Sequence, residues 1–299
     1  MNRAANPGIY PLELPLLFTD LTLPLSAFWL QLALGALLAV IIAAAAYAAR
    51  SLSRSGALAA FTLGTIVFGF GGLRWALLLL LFFVSSSALS RLFKARKSII
   101  EEKFSKGSRR DATQVAANGG IAGMFVLLHL AFPAAAWTWL GFAGALAAAN
   151  ADTWSTELGV LSREPPRLLT NWQRVERGSS GAISGAGLLA AAAASGLIAL
   201  AAVLLYPGGL AFGTLAALRF ASLMLAGVLG GLVDSLLGAT LQAIYYCPAC
   251  EKETERHPLH KCGSQTRLVR GLSWLTNDWV NAACTLAGGL FAVIPVLLP

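Results

Sequence analysis

Charge is scarce in this sequence. Asp, Glu, Lys and Arg make up 12% of its 299 residues, against roughly a quarter in an ordinary soluble domain. A water-exposed surface over most of the chain is therefore excluded. Acids number 14 and histidines three, so a site that needs either must draw on few positions. There are four cysteines, three of them in one loop as Cys247, Cys250 and Cys262. That grouping excludes the disulfide framework of a small secreted domain and fits a metal or redox cluster. Met1–Thr22 lacks a basic start, a compact apolar run and a small-residue cleavage site, which excludes a cleavable signal peptide. No nucleic-acid-binding motif accompanies the net charge of +8, so no nucleic-acid partner is expected.

What the chain has instead is apolar length. It is 57% hydrophobic with a mean hydropathy of +0.69, and several runs approach the roughly 20 residues that cross a bilayer as a helix. The reading is an all-α, polytopic integral membrane helical bundle of about eight spans. These are Leu25–Ala49, Gly56–Gly71, Leu73–Leu92, Gln114–Phe132, Ala135–Ala151, Gly181–Tyr206, Ala221–Tyr245 and Thr276–Leu298. The second is short and broken by Gly in "LGTIVFGFGG", so seven crossings are possible. Residues 1–22 form an N-terminal segment outside the cytoplasm. Residues 23–299 form one membrane domain, with a Cys/His loop at 246–275 inserted in it.

The basic residues orient this arrangement. With both termini outside, the inward loops and the helix ends beside them carry 19 of the 22 Lys and Arg residues, and only Arg3, Arg74 and Arg219 fall on the other side. Such an asymmetry is the positive-inside pattern. It explains the net charge by membrane orientation, with an anionic substrate as a further reason for it.

The polar residues of the spans gather on that same inner side. Asp111, Gln114 and Asn118 share one helical face in "RRDATQVAANGG". Asn150, Asp152, Thr153, Thr156 and Glu157 close the fifth span, Asp234 and Gln242 share a face of the seventh, and Asn277, Asp278 and Asn281 open the eighth. Asp111 and Asn277 also suit helix caps. Asp234 lies well inside an apolar run, where an ionised carboxylate needs a partner or an aqueous cavity. Carboxylates and amides of this kind are hard oxygen ligands for Mg²⁺, with Asp152, Asp234 and Asp278 as the metal-binding candidates.

Basic groups supply the complement. Lys106, Arg109 and Arg110 precede Asp111, and Arg174 and Arg177 precede the Gly/Ser turn of "RGSSGAISGAG". The backbone around Ser179, Ser180 and Gly181 is a candidate phosphate cradle at the start of the sixth helix, with Ser180 alternatively its N-cap. Metal ligands, arginines and an N–H cradle suit phosphoryl or nucleotidyl transfer, in which positioning and charge neutralisation carry most of the catalysis. A transporter using the same acids as a relay is the competing class. It would place polar groups near the midplane and reach both faces, and here only Asp234 does so.

The segments "KGSRRDATQVAANGG", "ANADTWSTELG", "RGSSGAISGAG", "DSLLGATLQ" and "NDWVN" resemble, in that order, those of a membrane family catalogued as a domain of unknown function. That family includes transmembrane protein 19 of animals and the phytyl-phosphate kinase of plastids. The resemblance covers about Leu25 to Pro299. It implies phosphoryl transfer from a nucleoside triphosphate, CTP or ATP, to an isoprenyl or other lipid phosphate. The residues matching its motifs are Asp111, Asn118, Asn150, Asp152, Glu157, Ser180, Asp234, Asn277, Asp278 and Asn281. In this reading Asp111, Asp152, Glu157, Asp234 and Asp278 are the candidate catalytic residues. Lys106, Arg109, Arg110, Asn118, Asn150, Arg174, Arg177, Ser179, Ser180, Gly181, Gln242, Asn277 and Asn281 are the candidate substrate-binding set.

The loop "CPACEKETERHPLHKCG" resembles the paired knuckles of a zinc ribbon, although His-Lys-Cys replaces the usual second Cys-x₂-Cys. Cys247, Cys250, His260 and Cys262 are the candidate Zn²⁺ ligands, with His257 as the alternative fourth. Four protein ligands close the coordination shell, so such a metal is structural. Trp137, Trp139, Trp274 and Trp279 read as interfacial anchors.

Overall fold

A computed structural model describes residues 25–93, 106–107, 109–207 and 213–297. The expected extracytoplasmic segment 1–22 lies outside the described residues. Among the described residues eight long helices follow one another: α1 (Leu25–Ala48), α2 (Arg54–Gly71), α3 (Leu73–Leu92), α4 (Ala112–Ala131), α5 (Ala136–Gly159), α6 (Gly185–Leu204), α7 (Thr214–Thr240) and α8 (Asn277–Leu297). Short strands β1 (Arg167–Leu168) and β2 (Ala182–Ile183) pair between α5 and α6. Strands β3 (Ile244–Cys247), β4 (Lys252–Thr254) and β5 (Arg267–Arg270) form a sheet ordered β4-β3-β5 between α7 and α8.

The centre of the bundle is α5. Every residue from Thr138 to Ala151 is buried, because α3, α4, α6, α7 and α8 all pack against it. Its run of Ala and Gly makes this possible, since small side chains let helices approach closely where lipid offers no hydrophobic drive. Gly230 of α7 marks one such close crossing. A Cβ there would come within 2.6 Å of the Ala148 Cβ and 2.9 Å of the Cys284 carbonyl oxygen. Outside this core, α1 packs on α2, and α2 in turn on α3 and α4.

Seven of the eight helices are long and apolar enough to cross a membrane. The exception is α5, which carries Asn150, Asp152 and Glu157 near one end. Its surface meets protein rather than lipid, so it needs no apolar exterior. The Gly-broken second segment is one continuous helix of 18 residues and counts among the seven.

Several boundaries differ from the sequence-based ones, and each difference has a local cause. The sixth span begins at Gly185 rather than Gly181, because Ser184 is its N-cap and accepts from the Gly187 N–H at 3.1 Å. Ser180 is therefore not the cap, and Gly181 precedes the strand β2. The seventh ends at Thr240, where the chain turns into β3. The fifth extends to Gly159, so its acids sit on helix rather than in a loop. Trp139 is not an interfacial anchor: it is buried and donates its indole N–H to the Ala202 carbonyl at 3.1 Å. Trp274 and Trp279 are exposed, as an anchor requires.

Candidate functional site

Helices α3, α5 and α7 end, and α4, α6 and α8 begin, at the same end of the bundle. Between them lies a cavity of about 260 Å³. Of the candidate site residues, Lys106, Arg110, Asn118, Asp152, Glu157, Arg177, Ser179, Ser180, Gly181, Asp234, Gln242, Asn277 and Asn281 line it. Five do not: Arg109, Asp111, Asn150, Arg174 and Asp278.

The acids divide into two groups. Asp152 and Asp234 share the cavity and lie close enough to interact electrostatically. The Asp234 Oδ2 is closed to solvent and has no hydrogen-bond partner. A buried carboxylate oxygen in that state costs free energy unless something charged or donating meets it. Asp278 faces elsewhere. It accepts from the Lys106 ammonium and from the Thr113 hydroxyl at 2.8 Å, which places it beside Asp111 rather than with the other two.

Asp111 is the N-cap of α4. Its carboxylate accepts from the Gln114 N–H at 3.0 Å, the Gln114 side chain accepts from the Asp111 N–H at 3.1 Å, and the capping box is complete. The Lys106 ammonium lies 2.9 Å from its other oxygen. Lys106 thus ties the starts of α4 and α8 together at the cavity mouth. Its pKa is raised: burial opposes the charge, but Asp278 and Asp111 outweigh that. The Asp111 carboxyl is held below its usual range, with burial again opposed by Lys106, the Gln114 N–H and Thr113.

Arg110 is fixed through its backbone. Its N–H donates to the Ser51 carbonyl and its carbonyl accepts from the Ser53 N–H, each at 2.9 Å. The guanidinium reaches past the Phe82 ring, 5.9 Å from its centroid, toward Glu157. Burial pushes its pKa down to about 10, partly countered by Glu157. Glu157 itself accepts from the Ser90 hydroxyl at 2.8 Å. Arg109 turns away, donating to the Leu52 carbonyl at 2.8 Å with its guanidinium over Tyr47. Arg177 lines the cavity while donating to the Ser162 carbonyl at 2.7 Å. Arg174 is exposed, in a bridge with Arg167. Asn150 is fully buried and cross-links helices: its amide donates to the Ala194 carbonyl at 3.0 Å and its oxygen accepts from Ser85.

The Ser179–Gly181 turn forms part of the cavity wall. Gly181 has a φ of 79° and lies so close to α7 that a Cβ would meet the Ala239 nitrogen at 2.1 Å; only glycine fits there. The Ser180 hydroxyl donates to the Glu255 carboxylate at 3.1 Å. Glu255, which follows β4, is the charged lining residue that sequence reasoning missed. It also accepts from the Gln242 amide at 2.9 Å and interacts electrostatically with Asp234. Its one cue in the chain is its place midway between Cys250 and His260 in the cysteine loop.

That loop forms a small ribbon on the sheet β4-β3-β5. The ligand atoms of Cys247, Cys250, His260 and Cys262 all lie within 4.8 Å of one another and could hold a metal ion. His257 is outside that group, with its ring stacked on Tyr245 at 4.5 Å. The ribbon is fastened to the bundle at its base. Ala243 and Leu272 donate to the Leu275 and Leu241 carbonyls, each at 2.9 Å, and Arg270 donates to the Gly238 and Ala239 carbonyls that end α7.

Comparison with known proteins agrees with this architecture. The profile of the integral membrane protein family DUF92 matches residues 37–289. The chain is 34% identical to Protein PGR of Arabidopsis thaliana, covering 84% of this chain and 91% of that one. It is 31% identical to an uncharacterized membrane protein of Methanocaldococcus jannaschii, covering 82% and 86% respectively. It is 26% identical to Protein VTE6, chloroplastic, of Arabidopsis thaliana, covering 81% of this chain and 65% of that one. No solved structure matches. The chain belongs to the DUF92 family of integral membrane proteins.

Proposed function

We propose that this chain is a membrane phosphotransferase that converts an isoprenyl or similar lipid monophosphate to its diphosphate, using CTP or ATP. The observation that carries this reading is a single cavity lined by Asp152 and Asp234 together with Lys106, Arg110 and Arg177. Acids for a hard cation and bases for phosphate oxygens are the two halves that phosphoryl transfer requires.

Asp152 and Asp234 fit Mg²⁺ by their hard oxygen donors and by the unpartnered Asp234 Oδ2. When bound, Mg²⁺ neutralises charge on the donor's phosphates. Arg110, Arg177 and the Ser179–Gly181 backbone hold phosphate oxygens, and Lys106 closes the mouth. An oxygen of the acceptor's phosphate attacks the γ-phosphorus, the bond from that phosphorus to the bridging oxygen breaks, and the nucleoside diphosphate leaves. The acceptor is already ionised, so no strong base is needed; Glu157 keeps Arg110 in place. The Cys247, Cys250, His260 and Cys262 donors suit Zn²⁺ in a structural role. The distribution of Lys and Arg favours a cytoplasmic cavity with both termini outside.

The test uses purified protein, isoprenyl phosphates, Mg²⁺ and CTP or ATP labelled at either the α or the γ phosphate. Recovery of γ label in a lipid diphosphate is the expected result. Recovery of α label would mean nucleotidyl transfer. Absence of transfer, with ion flux through liposomes holding the protein, would favour a transporter.

A further inference from the structure

A second cavity, of about 310 Å³, runs between α1, α2, α3 and α4, and its walls are almost wholly apolar. Ala39, Ala43 and Ala46 recur along one face of α1, and with Ala60 and Gly64 of α2 they leave the groove open where larger side chains would fill it. From Gly35 to Ala46 it follows α1 for roughly 16 Å of helical rise. Leu38, Ile42 and Leu77 on its rim are exposed, so it opens sideways toward lipid. Its one charged lining residue is Arg110, beside Gln114 and Asn118.

Those same three residues line the polar cavity. The two spaces are neighbours across one wall, and that wall carries a cation with burial on both sides. A molecule that satisfies both has a hydrocarbon chain in the groove and an anionic head at Arg110. An ordinary phospholipid fits less well, because two chains would have to enter a groove bounded by close-packed α1 and α2.

We propose that this groove is the seat of the acceptor's single hydrocarbon chain, which directs the phosphate head past Arg110 into the polar cavity. The inference rests on the phosphotransferase reading for the fate of the head, but the groove itself is tested separately by labelling.

Reconstitute the full chain in phosphatidylcholine vesicles with a farnesyl phosphate that bears a photoreactive diazirine at its far end. The expected label falls on peptides from α1 and α2 around Ala43 and Gly64, and excess geranylgeranyl phosphate displaces it at least tenfold better than extra phosphatidylcholine does. Label on other helices, or equal displacement by both lipids, overturns the proposal. Next, Ala43→Phe fills the groove, and Ala43→Leu is a milder version should the first fail to fold. Each is expected to raise the KM for a twenty-carbon phosphate about tenfold while leaving that for a five-carbon phosphate within twofold. An unchanged chain-length profile in a folded variant overturns the groove. Displaceable label in the groove without phosphate transfer to any acceptor would instead retain the groove and defeat the kinase reading.

Discussion

Gln242, just beyond the end of α7, donates its side-chain amide to the carboxylate of Glu255 at 2.9 Å. This bond joins the bundle to the cysteine ribbon at the cavity wall, and the Ser180 hydroxyl reinforces it from the opposite loop. Glu255 enters the cavity because the ribbon's hairpin pairs Tyr245 with Thr254 and so fixes the residue that follows. Loss of a metal from the ribbon is therefore expected to reach the cavity through this carboxylate. Cys262→Ser is expected to abolish zinc binding, expose residues 246–275 to proteolysis and lower turnover about tenfold, with the bundle intact. Glu255→Gln is expected to lower turnover similarly while retaining zinc. Metal analysis beside initial rates checks both, and a zinc-free variant with full activity would break the link.

The division of the acids leads to a graded expectation. Asp152→Asn and Asp234→Asn each remove a charge from the shared cavity, and turnover should fall at least about 100-fold in protein that remains folded in detergent. Asp278 pairs with Lys106 and is not among the residues that line the cavity. Asp278→Asn should therefore raise the KM for the nucleotide several-fold, with turnover reduced less than tenfold. Equal collapse of turnover in all three variants would return Asp278 to the metal shell.

Lys106 and Asp111 give a pH dependence of defined sign. Asp111 titrates below its ordinary value when folded, so its contribution is present above pH 3.8 and is lost as pH falls through the lowered value. Lys106 titrates above its ordinary value, so its contribution is full below pH 10.5 and is lost as pH rises through the raised one. Between those limits the start of α4 stays pinned. The pair is about a third exposed, and screening keeps its share to about 1 kcal/mol or less. Hydrogen exchange at Ala112–Val115 should be insensitive to pairing across neutral pH, once corrected for intrinsic rate, and should accelerate in Asp111→Ala. That variant also loses an N-cap, at a cost of roughly 0.5–2 kcal/mol.

Most of the helix set was legible because apolar length is a strong signal, and seven helices carry it. α5 carries it weakly: Asp152 and Glu157 belong to its last turns, and a helix shielded from lipid can hold them. The Cys/His cluster of the ribbon was legible from Cys247-x₂-Cys250 and the His-x-Cys of His260 and Cys262, since metal chemistry constrains spacing. What spacing could not reveal was partnership across the chain. Whether Asp278 meets a metal ion or Lys106 depends on how α8 docks beside α4, and no local pattern encodes that. Glu255 was hidden for the same reason, because its role comes from the docking of β3 and β4 onto the end of α7. Arg109 and Arg110 are adjacent and chemically alike, yet the bridge between Leu52 and Arg110 sends one to a carbonyl and the other to the cavity.

Asn150 separates stability from catalysis. It matches a family motif beside Asp152, which reads as a substrate contact, but its amide lies among α3, α5 and α6 and is wholly buried. Interhelical hydrogen bonds in membranes contribute about 0.6 kcal/mol on average and about 2 at most. Asn150→Ala removes two of them and leaves the Ala194 carbonyl without that donor. The expected outcome is a loss of roughly 1–2 kcal/mol, read as a lower midpoint of thermal unfolding in detergent. Turnover and KM measured well below that midpoint should stay within about threefold of the parent. If stability instead held while turnover fell 100-fold, Asn150 would have to contact the substrate, and the cavity would have to extend a full helical turn deeper than Thr153.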